Sequence, residues 1–212
     1  MKKWLSNIKS NKLRLFNDIL SIVIVGFAIY IIAAPIIPEL QYKVESSIDK
    51  SAGYAYQSDL TSQAIEDKTV GEIPEEKLKP IPEVNTLTIP SIGVDGEIFE
   101  GSSIYTLNKG LWRRPKTSTP DKGGNTVIVA HRYLFTEGPN TFYHLDKVKK
   151  GDKFALFWNK KEYIYEVTEV KTVEPTAIEI EDNTKDPIVT LYTCTPLWTA
   201  KYRLVVIGKL IN

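Results

Sequence analysis

The stretch Thr190-Leu191-Tyr192-Thr193-Cys194-Thr195-Pro196 decides how this chain is read. An apolar run from Ile188 to Tyr192 leads into its cysteine, and a proline-containing loop follows. Cys194 is the only cysteine among 212 residues, which excludes a disulfide within the chain and leaves few ligands for zinc. Nine positions on (203 − 194), Arg203 opens a second apolar run, Leu204-Val205-Val206-Ile207. Upstream, the run Thr126-Val127-Ile128-Val129-Ala130 ends at His131. Three reactive side chains therefore stand at or beside the ends of three predicted strands, where a rigid sheet can hold a constellation in place.

Taken singly, each residue has a plainer explanation. A lone cysteine ordinarily packs as a small hydrophobe, and an arginine opening a strand is ordinarily a solvated edge charge. Taken together they permit acyl transfer. A free thiol has a pKa of about 8.5, so it is a weak nucleophile near neutrality without a nearby base or positive charge. His131 can supply the imidazole and can protonate a leaving amine. Arg203 can supply fixed charge and donors to an oxyanion or to a substrate backbone. With the loop from Thr195 to Lys201 joining adjacent strands, Cys194 and Arg203 become cross-strand neighbours about 5 Å apart. His131 must come from a third strand. The other histidine, His144, lies in the aromatic stretch Phe142-Tyr143-His144-Leu145 and is assigned to packing.

The N-terminal part has a different character. Residues 1–18 carry Lys2, Lys3, Lys9, Lys12 and Arg14 against Asp18, and Ile19 to Ile37 has no charged residue. At about 1.5 Å per residue such a helix roughly crosses a bilayer core. The run is long for a cleaved signal peptide, and no small-x-small cleavage site follows it. Residues 19–38 are therefore read as an uncleaved signal anchor. The basic segment stays cytoplasmic, and the rest of the chain lies outside the cell membrane. Residues 39–84 are rich in acids and lysines, with Pro74, Pro80 and Pro82 near their end. They read as a semi-rigid stalk, with a lid over the active site as the functional alternative. The net charge of +1 provides no global field for nucleic acid.

Residues 85–212 have a β texture. Predicted strands cover 86–89, 94–99, 126–130, 188–193 and 202–210, with a hairpin of 153–158 and 162–173 around Asn159-Lys160-Lys161. Residues 105–120 read as loop with one helical turn, and 141–148 as a short helix. Short strands spaced by turn residues predict a closed or nearly closed antiparallel barrel. The class is mainly β, with short helices.

Known cysteine-hydrolase patterns narrow the choice. Papain-like enzymes place Cys before His, the caspase Gln-Ala-Cys signature is missing, and so is the Ser-His-Gly-Cys run of the L,D-transpeptidases. The chain resembles instead the sortases, membrane-anchored bacterial cysteine transpeptidases. The resemblance rests on Leu191-Tyr192-Thr193-Cys194-Thr195-Pro196, Arg203-Leu204-Val205-Val206, Val129-Ala130-His131-Arg132 and Leu87-Thr88-Ile89-Pro90-Ser91-Ile92-Gly93, in order behind one anchor.

This resemblance implies an eight-stranded sortase β-barrel. It implies Cys194 as nucleophile, His131 as general acid and Arg203 as stabiliser of the oxyanion and substrate. Thr193 is implied to help hold substrate or oxyanion, and Thr195 is grouped with it. Trp198 either walls the substrate groove or packs. The implied substrates are surface proteins with a C-terminal Leu-Pro-x-Thr-Gly-like sorting signal. The acyl group passes to an amine from a cell-wall precursor or from a pilin lysine. There are departures: Ala130 stands where many relatives have Gly, and neither a C-terminal span nor an Asp-Pro-aromatic lid motif is found. Some relatives bind calcium through acidic loops. Here Glu174, Glu179, Glu181 and Asp182 are read as solvated, and no cofactor is expected. A non-catalytic, membrane-tethered barrel that binds peptide or wall polymer is the rival of another class.

Overall fold

The computed structural model describes residues 2–33, 36, 40, 81–132 and 138–211. The predicted stalk lies outside the described residues, apart from Leu40 and residues 81–84. Two compact units result, an N-terminal helix and a β-domain. Helix α1 runs Lys2–Ala33. Its part Arg14–Ala33 has 20 residues and a mean hydropathy of 2.3, with no residue buried against protein. By length and composition it can cross a membrane.

Eight strands form the second unit: β1 Thr86–Ile89, β2 Val94–Glu100, β3 Leu111–Arg113, β4 Asn125–Val129, β5 Lys153–Trp158, β6 Lys161–Val173, β7 Ile188–Thr195 and β8 Tyr202–Leu210. They close into a barrel in the order β1-β2-β3-β4-β7-β8-β6-β5. Closure leaves no free sheet edge. The barrel is not purely antiparallel as the sequence led us to expect, because β2 pairs with β3 and β4 pairs with β7 in parallel. Parallel partners need crossover connections. Residues 101–110, with the 3-10 turn Ile104–Lys109, supply the one between β2 and β3; the one between β4 and β7 is the whole of 130–187, which includes β5 and β6 and ends in the connection 174–187 with the turn Ile178–Glu181. Strand β3 also falls in a stretch expected to be loop. The expected helix over 141–148 is only the 3-10 turn Leu145–Lys147.

Side-chain alternation explains which faces are buried. In β2, Val94, Gly96 and Ile98 point inward and Asp95 and Glu97 outward. All five residues of β4 are buried. Its inner face meets the core, and the 174–187 connection is tied to it by Asn125, whose Nδ2 donates to Ile180 O and Asp182 O. One hydrophobic cluster fills the interior, with Leu87, Leu111, Ile128, Phe142, Leu156, Leu191 and Val206 among its members. Gly208 on β8 admits the ring of Phe154, since a Cβ there would lie 2.5 Å from Phe154 Cζ. The β5–β6 hairpin turns on Asn159 and Lys160, both at positive φ (51° and 60°). That is the two-residue turn geometry that suits strand twist. A register shift between Val167 and Glu169 interrupts the ladder of β6 with β8, just beyond the last residue of β6 that pairs with β5, Glu166.

Candidate active site

On β7 the residues Val189, Leu191 and Thr193 are buried, while Tyr192 and Cys194 on the opposite parity are partly exposed. Cys194 thus faces outward. Across the ladder its direct partner is Arg203, which shares the outer face of β8 with Val205. Opposed residues in such a ladder have Cα atoms roughly 5 Å apart. The Arg203 guanidinium is not left loose. Its Nη1 donates to Ala200 O (3.1 Å) and Tyr202 O (3.0 Å), and Ala200 takes a positive φ of 51° in the β7–β8 loop.

His131 follows the end of β4, which runs parallel to β7 with Val129 beside Tyr192, an offset of 63 (192 − 129). The same offset continues beyond the strand in side-chain bonds. Thr193 Oγ1 donates to Ala130 O (2.7 Å), and Arg132 Nη1 donates to Thr195 Oγ1 (3.3 Å). Between those two links, 131 + 63 gives 194, so His131 is level with Cys194 on the neighbouring segment. The His131 carbonyl accepts from Phe142 N (3.0 Å), which fixes the backbone. The ring Nε2 lies 3.1 Å from Asn108 Oδ1. An amide oxygen only accepts, so Nε2 is the donor in that contact. Burial lowers the His131 pKa and favours its neutral form.

The sequence-predicted residues Cys194, His131 and Arg203 therefore converge on one part of the outer surface. The Thr193 side chain is 1% exposed, and its hydroxyl donates to Ala130 O. Thr195 receives Arg132 and is partly buried. Trp198 is 70% exposed in the β7–β8 loop. His144 is buried, with its ring edge-on to Tyr143 at 4.8 Å, as its aromatic context predicted.

Two further groups were not read from the sequence. Asn108 comes from a 3-10 turn that is distant in sequence from His131, with no local motif to mark it. Glu181 was read as a solvated acid, yet its Oε1 accepts from Tyr192 Oη (2.7 Å) and Arg114 Nε (2.8 Å). Arg114 also lies over the Trp112 ring at 4.6 Å. Burial, then the Glu181 bond and charge, push the Tyr192 hydroxyl well above its ordinary range, so it stays neutral. Beyond Glu181 an open pocket of about 470 Å³ is lined by Ser102, Arg114, Lys116 and Thr117. Among the described residues no group of three or more His, Cys, Asp or Glu is arranged to hold a metal ion.

A thiol, an imidazole and a guanidinium on one face of a closed barrel are equipped for attack on a carbonyl, protonation of a leaving group and stabilisation of an oxyanion. The comparisons with known proteins agree with that outline. Sortase A of Listeria monocytogenes is 33% identical over 127 residues, which is 60% of this chain and 56% of that protein. The match thus spans little more than half of that relative's length. A crystal structure of Listeria monocytogenes sortase A superposes with a TM-score of 0.54 at 31% identity, covering 61% of this chain and 87% of that one. The pilus-related sortase C of Group B Streptococcus gives a TM-score of 0.55 at 34% identity, covering 65% and 71%. The family model described as the sortase domain matches residues 87–211, which is the β-barrel and the segment that carries Cys194, His131 and Arg203; the chain belongs to the sortase family.

Proposed function

We propose that this protein is a membrane-anchored cysteine transpeptidase that joins surface proteins to an amine. Residues 19–38 are its anchor, with the basic segment 1–18 on the cytoplasmic side and the barrel outside the cell. The observation that carries the reading is the alignment of His131, Cys194 and Arg203 across three chain segments on the barrel's outer face. Cys194 passes its thiol proton to His131, and the sulfur attacks the carbonyl carbon of threonine in a Leu-Pro-x-Thr-Gly-like signal. A carbon–sulfur bond forms, and Arg203 faces the resulting oxyanion. As the carbon–nitrogen bond breaks, His131 gives its proton to the leaving glycine amine. The thioester is then attacked by an acceptor amine. The new amide forms, the carbon–sulfur bond breaks, and the amine's proton returns to His131. Trp198, exposed beside the site, is a wall for the bound signal.

The test uses the full chain in detergent with a quenched fluorescent Leu-Pro-x-Thr-Gly peptide, with and without triglycine. Cys194→Ala runs alongside. Cleavage that needs Cys194, with a triglycine adduct by mass spectrometry, is the expected outcome. An inert Cys194 that also resists a methanethiosulfonate reagent in the folded protein would return the reading to a binding barrel. The likeness to a pilus-related sortase C supports a second acceptor, a pilin lysine in place of a cell-wall precursor. Competition between the two amines distinguishes them.

A further inference from the structure

Strand β4 ends at Val129, so the backbone ladder to β7 stops before it reaches the level of His131 and Cys194. Side chains take over there. On one side of that level stands the buried Thr193–Ala130 bond, and on the other the guanidinium of Arg132. The Arg132 side chain is only 9% exposed, and its three nitrogens meet three residues on two segments. Nε donates to Tyr143 O (2.8 Å), Nη2 pairs with Asp146 Oδ1 (3.1 Å) and Nη1 donates to Thr195 Oγ1 (3.3 Å). The turn that holds Tyr143 and Asp146 is itself bound to the His131 backbone through Phe142 N. A charge this buried is tolerated because it is paired and hydrogen-bonded.

We propose that Arg132 is a positioning residue, which holds the His131 and Cys194 segments in register by bridging Thr195 to the Tyr143–Asp146 turn. The inference rests on the transpeptidase reading for its kinetic consequence but not for its geometry. Arg132 adjoins His131, and Thr195 adjoins Cys194. A shift of either segment therefore changes the separation between imidazole and thiol. A planar fork with donors in three directions is required; the point charge of lysine satisfies one direction at a time. A misplacement of about 1 Å between reacting groups costs on the order of 100-fold in rate.

The experiment compares wild type, Arg132→Lys, Thr195→Val and the double variant, each as the full chain in detergent. Three readouts are taken: kcat and KM on the sorting peptide, the pH profile of Cys194 alkylation by iodoacetamide, and thermal unfolding. Arg132→Lys is expected to lower kcat by about 10- to 100-fold with KM within about twofold. Its alkylation profile shifts, because the imidazole no longer sits level with the thiol. Thr195→Val also lowers kcat, and the double variant is no worse than the poorer single, since both break one link. An unchanged kcat in Arg132→Lys overturns the proposal. So do losses that multiply in the double variant, or losses that the unfolded fraction accounts for. Should wild type cleave no peptide, the alkylation profile alone decides. A shift in Arg132→Lys upholds the positioning role while the transpeptidase reading falls, and an unshifted profile removes both.

Discussion

Cys194 on β7 and Arg203 on β8 are directly opposed in an antiparallel ladder that runs without a slip from Ile188 to Thr195. Register in such a pair is all or nothing, because a one-residue slip would turn both side chains to the other face. The inward residues Leu191, Thr193, Leu204 and Val206 are all buried, so a slip would expose them and the pairing is held by the core. The outward position of the two reactive groups follows from the packing of their neighbours.

Arg203 meets this register with a fork whose Nη1 already rests on the carbonyls of Ala200 and Tyr202. Arg203→Ala is predicted to reduce kcat/KM by about 100- to 1000-fold, the usual cost of removing one oxyanion donor. Arg203→Lys keeps the charge but loses the fork, and should fall between wild type and Ala. Labelling of Cys194 by a methanethiosulfonate should persist in both variants, which separates lost catalysis from lost fold. A lysine variant as active as wild type would show that charge alone matters at this position.

The buried Asn125 gives a second prediction. Besides its two donations to Ile180 O and Asp182 O, its Oδ1 accepts from Thr190 Oγ1 (2.8 Å), and its backbone N donates to Asn183 Oδ1 (3.1 Å). One 2%-exposed side chain thus pins the 174–187 connection to the strands that lead to the site. Asn125→Ala leaves two carbonyls and a hydroxyl without their partner, at roughly 1–3 kcal/mol for each buried group so stranded. Asn125→Asp should destabilise further, because a carboxylate would then face two carbonyl oxygens. Thermal unfolding ranks the variants. Limited proteolysis should find new cuts within residues 174–187. An Asp variant as stable as Ala would mean that water reaches this site and that the pinning is weak.

These cases also show what was readable beforehand. Apolar runs bounded by Gly, Pro and Asn located seven strands, because burial of alternating or continuous apolar residues is written locally. The Cys194–Arg203 pairing was readable too, since one short loop joins their strands. Strand β3 was missed because three residues, Leu111–Arg113, carry no period. The parallel pairs escaped because nothing in a strand's own sequence says which way its neighbour runs. Asn108, Arg132 and Glu181 escaped for a related reason. Each acts on a residue that is distant along the chain, through a backbone carbonyl or a single side chain, and such contacts leave no motif.

The final prediction concerns pH. An unfolded histidine titrates at about 6.5, and burial of His131 lowers its value in the fold. Between the lowered value and 6.5, the unfolded chain binds more protons at this site than the folded protein does. Stability rises with pH wherever the unfolded state binds more protons. The neutral ring is therefore fully accommodated above about 6.5, and the fold loses stability on acidification through the window below it. His131→Gln removes this group. Every other group is shared by the two proteins, so the difference of thermal midpoints between wild type and variant isolates this one. That difference should be flat from about pH 8 to 7 and should turn against wild type as pH falls below about 6.5. The opposite slope, with wild type gaining on acidification, would mean that an anion beside the ring outweighs its burial. Cys194 is the residue at that level of the ladder. Repeating the scan with Cys194→Ala would then assign the effect: restoration of the predicted slope would identify a thiolate–imidazolium pair as the resting form of the site.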